Sequence, residues 1–440
     1  LVRPKSIGKL DELREFWGKD SLKRVVPIKG DLGLPKLGVA RGDLTKLKGK
    51  VKHFYHLGAV YDIEASAEAM EKANITGTRG ALEFAEAVNA GCFHLVSSIA
   101  AAGLYRGTFT EDMFEEAEEL EHPYHRTKHD SEAMVRANGR IPFRVYRPGA
   151  VLGHSQTGFI DKIDGPYYFF KALQKLRESW PRSIPLVGIE GGYINVVPVD
   201  FVVDALVHLS HQPKLDGRCF HLTDPKARRV GEVLNVFARA AHAPEMAFRL
   251  DPKVFAMVPE PVTQSVQRSK PIQNVFNQLL RDLQVPRSVL QFVNYPTRFD
   301  STATQKILDK AKIRVPALED YAWRLWDYWE RHLDPDLSID RSLKGAVKGK
   351  VVLITGGSSG IGEAAALRVA EAGGKVLIVA RGADKLAEVR KKIVDAGGFV
   401  KTYSCDITDY AACDKLAKDV LKEFGHVDVL INNAGRSIRR

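Results

Sequence analysis

A glycine-rich turn between a strand pattern and a helix pattern constrains the fold of this chain more than any other feature. Residues 349–354 form the apolar run of a buried strand, the turn Thr-Gly-Gly-Ser-Ser-Gly-Ile-Gly follows at residues 355–362, and a helical pattern comes next. Strand before and helix after are the context that makes a glycine fingerprint specific. Gly356 permits the tight turn, Gly360 lets the backbone approach a pyrophosphate, and Gly362 allows close helix packing. The pattern predicts a dinucleotide-binding α/β domain.

The strands after this turn indicate which dinucleotide is bound. The next strand pattern, residues 375–380, ends at Arg381, where the adenosine ribose would lie. A carboxylate at this position suits the 2′-hydroxyl of NAD, whereas an arginine suits the 2′-phosphate of NADP. Further strand ends follow at residues 404–407 and 430–435. We therefore expect NADP(H), with NAD(H) as the less favoured cofactor.

One short part of the first half brings together a serine, a tyrosine and a lysine. A buried strand pattern at residues 92–96 stops at two serines, the second of which is Ser98, and a helix pattern begins with Pro123. Tyr124 and Lys128 are four residues apart, so they share one face of that helix. An ammonium beside a phenol favours the phenolate and lowers the phenol pKa, which suits an acid–base group. Ser98 could hold a carbonyl oxygen beside it.

Chance alone produces a tyrosine and a lysine at this spacing roughly once in a chain of this composition, and such pairs are common on solvated helix faces. The order of the elements favours an active site instead. The helix is followed directly by a strand pattern, Phe-Arg-Val-Tyr-Arg-Pro-Gly at residues 143–149, that runs into a turn. Ser98, Tyr124 and Lys128 are the groups that reduction of a carbonyl by a nicotinamide requires.

Strand ends elsewhere in the first half offer cofactor contacts. The chain starts with a strand end that places Arg3 where a 2′-phosphate would lie, although a surface arginine explains it nearly as well. A strand pattern at residues 51–57 is followed by Gly58 and Ala59, small residues that let the backbone approach a cofactor closely.

The order of Ser98, Gly103, Tyr124 and Lys128, followed by the turn Arg-Pro-Gly at residues 147–149, resembles the extended short-chain dehydrogenase/reductase family. The resemblance implies that Ser98, Tyr124 and Lys128 are catalytic and that Lys128 also holds the nicotinamide ribose. It assigns Pro148 to the loop that closes over the nicotinamide, and Asp31 to the adenine. The second half resembles the classical short-chain family, whose cofactor-binding residues correspond here to Gly356, Ser358, Ser359, Gly360, Ile361, Gly362, Arg381, Asp406, Ile407 and Asn433.

The middle region narrows the resemblance to bacterial fatty acyl-CoA reductases, which join an extended domain to a classical one. The segments that carry it are residues 195–200, 295–300 and 326–333. In the first of them, a strand pattern enters a helix, with Asp200 predicted as the N-cap. The aromatic-rich residues 321–329 could contact acyl chains or a membrane surface, although core packing is their default interpretation.

The resemblance implies two Rossmann-like, doubly wound parallel-sheet domains of the α/β class. The expected limits are an extended domain at residues 1–335 with a mostly helical substrate side from about residue 151, a linker at 336–348, and part of a classical domain at 349–440. The first βα unit would precede Leu1, and the second domain's catalytic residues would follow Arg440. The chain is therefore expected to be an internal fragment, truncated at both ends.

The implied activity is NADPH-dependent reduction of a fatty acyl thioester, such as an acyl-CoA, to an aldehyde. Further reduction to an alcohol is left open. Two alternatives also stay open. One is another activity of the extended family, such as an epimerase, a dehydratase or a hydroxysteroid-type dehydrogenase. The other is a nucleotide-binding module that lacks turnover.

Composition sets broader limits on partners and compartment. The 440 residues carry a formal net charge of +11, which suits anionic partners such as nucleotides or coenzyme A but also an ordinary solvated surface. No apolar run is long enough to span a bilayer, no nucleic-acid motif is present, and the cysteines lack metal-binding spacing. Three of the four cysteines fall in apolar strand patterns, which predicts buried thiols and a reducing, cytoplasmic compartment. The sequence does not indicate an oligomeric state.

Overall fold

The computed structural model describes residues 1–435 except for 4–5, 9, 11–12, 14–16, 19–22, 60–64, 162, 180–185, 251–294, 339 and 341. The chain divides into two compact units, unit 1 (residues 1–333) and unit 2 (residues 334–440). Part of the substrate side that the sequence predicts as helical, residues 251–294, lies outside the described residues.

The described part of unit 1 alternates strands and helices. Its strands are β1 (His53–His56), β2 (Cys92–Val96), β3 (Thr108–Phe109), β4 (Phe143–Pro148), β5 (Ala150–Leu152), β6 (Leu186–Ile189), β7 (Tyr193–Ile194), β8 (Val196–Pro198), β9 (Cys219–Leu222), β10 (Arg228–Arg229), β11 (Met246–Leu250) and β12 (Arg298–Phe299). Its α-helices are α1 (Arg41–Leu47), α2 (Ala67–Glu71), α3 (Gly77–Ala87), α4 (Pro123–Arg136), α5 (Phe170–Ser179), α6 (Val199–His211), α7 (Val230–Ala240), α8 (Thr302–Leu308) and α9 (Leu318–His332).

A parallel sheet of order β1-β2-β4-β9 forms the centre of unit 1. Side chains alternate between the two faces of such a sheet. Phe93, Leu95 and Val145 are buried in one cluster with residues of α3 and α4, and Tyr146 and Phe220 are buried in another with residues of α6 and α8. Because helices cover both faces, the sheet is doubly wound. The predicted fold class is confirmed.

Helices α5, α7 and α9 of unit 1 pack around buried aromatic rings. Phe170 of α5 packs on Phe237 of α7, with ring centroids 4.8 Å apart, and on Trp326 and Trp329 of α9, at 5.2 and 5.6 Å. Trp326 and Trp329 are three residues apart and share the buried face of α9, whereas Trp323 is 53% exposed. Packing in the core therefore accounts for most of the aromatic-rich helix.

The sequence prediction for the start of α6 is wrong by two residues. Pro198, in extended backbone conformation, occupies the N-cap position, and the helix begins at Val199. Asp200 therefore lies in the first turn, where the helix dipole favours a carboxylate. Its side chain accepts hydrogen bonds from the backbone N–H and the hydroxyl of Ser155, so it fastens the loop after β5 instead of capping the helix.

Unit 2 has a second parallel sheet. Its strands are β13 (Val351–Thr355), β14 (Lys375–Ala380), β15 (Phe399–Ser404) and β16 (Val429–Asn432), and its α-helices are α10 (Leu343–Val347), α11 (Gly360–Glu371), α12 (Ala383–Asp395) and α13 (Tyr410–Phe424). The strand order is β15-β14-β13-β16. The chain thus moves outward from β13 in one direction and then returns to its other side, which creates the crevice where doubly wound folds bind ligands.

The core of unit 2 also lies on both faces of its sheet. Val352 and Ile354 pack with residues of α11 and α12, and Leu353 and Leu377 pack in a cluster that includes Val420 of α13. The short helix α10 falls within the stretch predicted to be a linker. None of the helices that the structure describes, in either unit, is long and apolar enough to cross a membrane.

Candidate active site

Ser98, Pro148, Gly58 and Ala59 lie at or just after the ends of strands in the sheet β1-β2-β4-β9, whose carboxyl ends share one edge. Ser98 comes two residues after β2, Pro148 ends β4, and Gly58 and Ala59 follow β1. Arg3 follows Val2, which forms a parallel bridge with Lys29, and Asp31 comes two residues after Lys29. In open α/β sheets, ligands bind outside this edge.

A cavity of about 550 Å³ lies at this edge and collects five of the predicted residues. The described residues that line it include Ser98, Tyr124, Lys128, Ala59 and Pro148. The structure therefore brings together a hydroxyl, a phenol and an ammonium that are up to 30 residues apart in the chain.

The rest of the cavity wall is largely apolar. Side chains that form it include Ile99, Val151, Phe159, Ile160, Phe169 and Leu234. Arg3, Asp31 and Gly58 are not among the described residues of the lining. Arg3 is exposed, the Asp31 carboxylate accepts a hydrogen bond from the Gly33 N–H at 2.8 Å, and Gly58 packs against Leu32.

Strand alternation separates the two serines after β2. Ser97 is buried and points away from solvent, whereas Ser98 caps a short 3₁₀-helix (Ile99–Ala102) by accepting a hydrogen bond from the Ala100 N–H at 3.1 Å. This turn ends at Gly103, whose φ is +60°. A Cβ at Gly103 would lie 1.8 Å from the carbonyl oxygen of Glu118, so only glycine fits the position that fixes the end of the serine loop.

Helix α4 begins where the sequence predicts. Pro123 occupies the first turn, and the His122 side chain at the N-cap accepts a hydrogen bond from the Tyr124 N–H at 3.2 Å. Tyr124 and Lys128 then follow one turn apart and both reach the cavity. Lys128 is almost fully buried, and desolvation lowers its pKa from 10.5 to about 8 although Glu132 opposes the shift. Burial, with Lys128 as a smaller cause, lowers the pKa of His56 to about 4.

A buried carboxylate connects the three elements that carry the site. Glu132, one turn after Lys128, accepts hydrogen bonds from the Ser97 hydroxyl at 2.9 Å, from Arg147 at 2.7 and 3.1 Å, and from Arg136 at 2.9 Å. Glu132 and Arg147 are both 0% exposed. Burial opposes ionisation, but the two arginines outweigh it and hold the pKa of Glu132 below its ordinary value. This network ties α4 to the end of β2 and to β4.

Several residues near the site were not predicted from the sequence. Tyr295 is buried, lines the cavity and donates its hydroxyl hydrogen bond to the Gly103 carbonyl, and its ring lies 5.9 Å from that of His125. Glu132 had a usable signal, since it lies four residues after Lys128 on the same helix. Asn74, by contrast, belongs to the segment at residues 74–78 that resembles a family motif supporting the active site, and it donates to the Thr127 hydroxyl at 3.0 Å and so braces α4.

The glycine turn of unit 2 joins β13 to α11. Gly356 and Gly360 have φ values of +70° and +57°. A Cβ at Gly362 would lie 2.3 Å from the Gly356 carbonyl oxygen and 2.5 Å from the Asn433 side-chain nitrogen, whereas a Cβ at Gly360 would meet nothing within 4 Å. The turn is therefore closely packed behind Gly362 and open in front of Gly360.

The open side of this turn presents polar backbone and one large apolar residue. Ser359 occupies the N-cap position of α11, Ser358 is half-buried, and Ile361 is 82% exposed. The first backbone N–H groups of a helix are unpaired and attract anions. Asn433, after β16, donates its side-chain N–H to the Gly356 carbonyl at 3.3 Å.

Arg381 and Asp406 lie at the ends of neighbouring strands, β14 and β15. Arg381 is 79% exposed, and its guanidinium is 3.9 Å from the Asp406 carboxylate. Hydrogen bonds from the backbone and side chain of Thr408 hold the pKa of Asp406 below its ordinary value, and Ile407 beside it is 44% exposed. At this exposure the ion pair is weak, so the guanidinium can turn towards a phosphate.

These features fit a dinucleotide in unit 2, because the turn has open space in front of the amide groups of α11 and a cation stands at the end of the adjacent strand. Unit 1 fits the nicotinamide side, since Ala59, Lys128 and Pro148 converge on one cavity. Among the residues that the structure describes, no group of three or more His, Cys, Asp or Glu side chains could hold a metal ion.

Comparison with known families agrees with this geometry. Residues 5–206 match the family described as male sterility protein, an NAD-binding family, and residues 350–440 match the family described as short chain dehydrogenase. Both matched regions belong to the short-chain dehydrogenase/reductase superfamily of nicotinamide-dependent oxidoreductases. The sequence prediction of this superfamily is confirmed.

Two curated relatives and one solved structure show the similarity in more detail. A glycine betaine reductase of Emericella nidulans is 26% identical over 438 residues, which is 96% of this chain and 33% of the relative. A fatty acyl-CoA reductase of Acinetobacter baylyi is 54% identical over 94 residues, 21% of this chain and 32% of that protein. The crystal structure of the terminal R domain from the myxalamid biosynthetic pathway is 25% identical, with a TM-score of 0.59, and the match covers 75% of this chain and 83% of the R domain. The chain spans about a third of the length of these two curated relatives.

Proposed function

We propose that unit 1 reduces the carbonyl group of a fatty acyl thioester with NADPH and releases an aldehyde. The observation that carries this proposal is the convergence of Ser98, Tyr124 and Lys128 on one cavity with largely apolar walls. The names of two relatives also support a reductase, since one is a fatty acyl-CoA reductase and the other a glycine betaine reductase.

Ser98, Tyr124 and Lys128 each have a separate role in the proposed reduction. A bound nicotinamide dinucleotide supplies hydride to the carbonyl carbon. Ser98 donates a hydrogen bond to the carbonyl oxygen and Tyr124 holds a proton for that oxygen as negative charge develops on it. Lys128, one helical turn away, is the buried cation that stabilises charge on Tyr124 and contacts the ribose of the cofactor. When the carbon–sulfur bond breaks, the thiolate leaves and becomes a thiol by taking up a proton.

The cavity wall favours an acyl chain over the substrates of the alternative activities. A sugar nucleotide carries many hydroxyl groups, and burying them without partners costs roughly 1–3 kcal/mol each. The wall of this cavity offers mainly apolar side chains such as Ile99, Val151 and Phe169. A fatty acyl group instead gains about 0.8 kcal/mol for each methylene that it buries.

Both units contribute to the proposed preference for NADPH. Arg3 and Arg381 each follow a strand at the position where NAD-specific folds have an acidic residue. In unit 2 the exposed Arg381 is next to a turn that fits a pyrophosphate. In unit 1 the carboxylate of Asp31, which the bridge between Val2 and Lys29 brings near Arg3, would contact the adenine.

Product analysis tests the proposal. The full-length protein should be incubated with dodecanoyl-CoA and NADPH, and dodecanal, dodecanol and NADP⁺ measured together. We expect one NADPH oxidised for each dodecanal formed, and a second for each dodecanol if the aldehyde is reduced further. Turnover of a UDP-sugar or a sterol without turnover of the thioester would instead establish another activity of the extended family. Binding of NADPH without any oxidation would establish a module that lacks turnover.

A further inference from the structure

Two arginine side chains stack on the ring of Tyr193. The guanidinium carbon of Arg229 is 4.3 Å from the ring centroid and that of Arg298 is 5.8 Å from it. Backbone pairing sets this arrangement. Strand β7 pairs antiparallel with β10, which places Tyr193 opposite Arg229, and the Tyr193 N–H donates to the Tyr295 carbonyl at 2.7 Å, three residues before Arg298. Cation–π contacts hold both guanidinium groups over the ring.

Among the described residues, Arg229 and Arg298 have no acidic partner, whereas the neighbouring Arg228 has one. Among the described residues, no carboxylate oxygen lies within 4.0 Å of either guanidinium, whereas Arg228 pairs with Glu319 at 2.7 Å. Arg229 donates one hydrogen bond to the Gly191 carbonyl at 3.2 Å, and Arg298 is exposed. Two positive charges that share one aromatic ring and have no described carboxylate within 4.0 Å favour a doubly charged anion, and the guanidinium fork matches phosphate geometry.

Arg298 of this pair lines the same cavity as the proposed active site, and Arg229 stacks on Tyr193, another residue of the lining. Tyr193 and Arg298 line it together with Tyr124 and Tyr295. Arg298 follows Tyr295 by three residues, so their Cα atoms are at most about 11 Å apart. A phosphate at Arg298 would share one cavity with the reacting carbonyl, so we expect the two groups to belong to one substrate and to be joined by an arm.

We propose that Arg229 and Arg298, held over Tyr193, bind the phosphate group of the arm that carries the thioester. This inference rests on the proposed function. The arm with this chemistry is phosphopantetheine, which joins the thioester sulfur to a phosphate either in coenzyme A or on a carrier protein. The acyl chain then occupies the apolar part of the cavity, and the phosphate stays at the arginine pair, with the thioester between them.

Thioesters with and without the phosphate separate this role from a general effect on the cavity. The full-length protein is assayed with dodecanoyl-CoA and with S-dodecanoyl-pantetheine, which lacks every phosphate. In Arg298→Gln and Arg229→Gln, kcat/KM for dodecanoyl-CoA should fall about tenfold or more, because charge-assisted hydrogen bonds are lost. The value for S-dodecanoyl-pantetheine and the KM for NADPH should stay within about twofold. Arg324→Gln is the matched control, since Arg324 also stacks on an aromatic ring, Trp323, at 4.5 Å but is outside the cavity lining.

Equal losses with both thioesters, no loss with either, or a raised KM for NADPH would each overturn the phosphate site while leaving thioester reduction in place. The same variants assayed with a dodecanoyl carrier protein identify the source of the phosphate, because the variants lose rate only with the arm that the site recognises. Calorimetric titration with free coenzyme A adds a readout that needs no turnover. Weaker binding of coenzyme A to Arg298→Gln supports the site even if no thioester is reduced, and unchanged binding overturns it.

Discussion

Replacing Glu132 by glutamine should destabilise unit 1 by about 3–5 kcal/mol, because it leaves the buried guanidinium of Arg147 without an anionic partner. The carboxylate accepts four hydrogen bonds, two on each oxygen, and one of each pair comes from Arg147. An amide nitrogen cannot accept, so whichever oxygen it replaces, two donors lose their acceptor. Each hydrogen bond to a charged group contributes roughly 1.5–3 kcal/mol, so the loss of two costs about 3–6 kcal/mol, which overlaps that range.

Urea unfolding followed by tryptophan fluorescence measures this loss in unit 1 alone. All five tryptophans lie between residues 17 and 329, within unit 1, and Trp326 and Trp329 are buried. Asp327→Asn is the matched control, since it removes an acid from an exposed pair with Arg331 and should cost less than about 1 kcal/mol. If Glu132→Gln unfolds at the same urea concentration as the control, the network does not stabilise the unit.

A second substitution separates the charge from the packing. Arg147→Met in the Glu132→Gln background removes the unpaired guanidinium, so part of the lost stability should return. Aldehyde formation should not return with it, because Glu132 and Arg147 position the elements that carry Ser98 and Lys128. Recovery of both properties together would show that the network acts only on stability.

Three further predictions concern the cofactor, the charge of the site and the serine loop. Burial lowers the pKa of Lys128 to about 8. Because the mechanism needs the ammonium form, kcat/KM should be level below pH 8 and fall about tenfold per pH unit above it. A profile that is level to pH 10 contradicts this. Arg381→Ala should weaken NADPH binding to unit 2 about tenfold in a calorimetric titration and leave NADH binding unchanged, whereas equal losses would exclude a 2′-phosphate contact. Gly103→Ala should cost about 3 kcal/mol or more in urea unfolding, because of its positive φ and the nearby Glu118 carbonyl. Its control, Gly139→Ala, meets nothing within 4 Å and should be nearly neutral.

Local patterns in the sequence were sufficient to predict the helix and the turn that carry the candidate site residues. The spacing of Tyr124 and Lys128 predicts a shared helix face, and both side chains do line one cavity. The turn at residues 355–362 predicts a strand and a helix on either side, which β13 and α11 confirm. These features depend on contacts within a few residues, where backbone conformation and periodicity are decisive.

Contacts between distant segments could not be predicted in the same way. Tyr295 reaches the Gly103 carbonyl across 192 residues, and the stacking of Arg229 and Arg298 on Tyr193 joins three separate strands. The burial of Lys128, which changes its pKa, follows from packing that no local pattern encodes. Asp200 shows the limit even at short range, because its high N-cap propensity did not outweigh the position of Pro198 before the helix.

Single-turnover reduction by Tyr124→Phe tests the central claim most directly. Phenylalanine keeps the ring but removes the proton that Tyr124 holds for the substrate oxygen, so packing should change little. With the full-length protein, excess NADPH and dodecanoyl-CoA, we expect the rate of aldehyde plus alcohol formation to fall about 10²–10⁴-fold. NADPH affinity should stay within about twofold, and Tyr328→Phe, which alters a tyrosine outside the cavity lining, should keep the wild-type rate. A Tyr124→Phe rate equal to that of the wild type would contradict the assignment of this cavity as the active site.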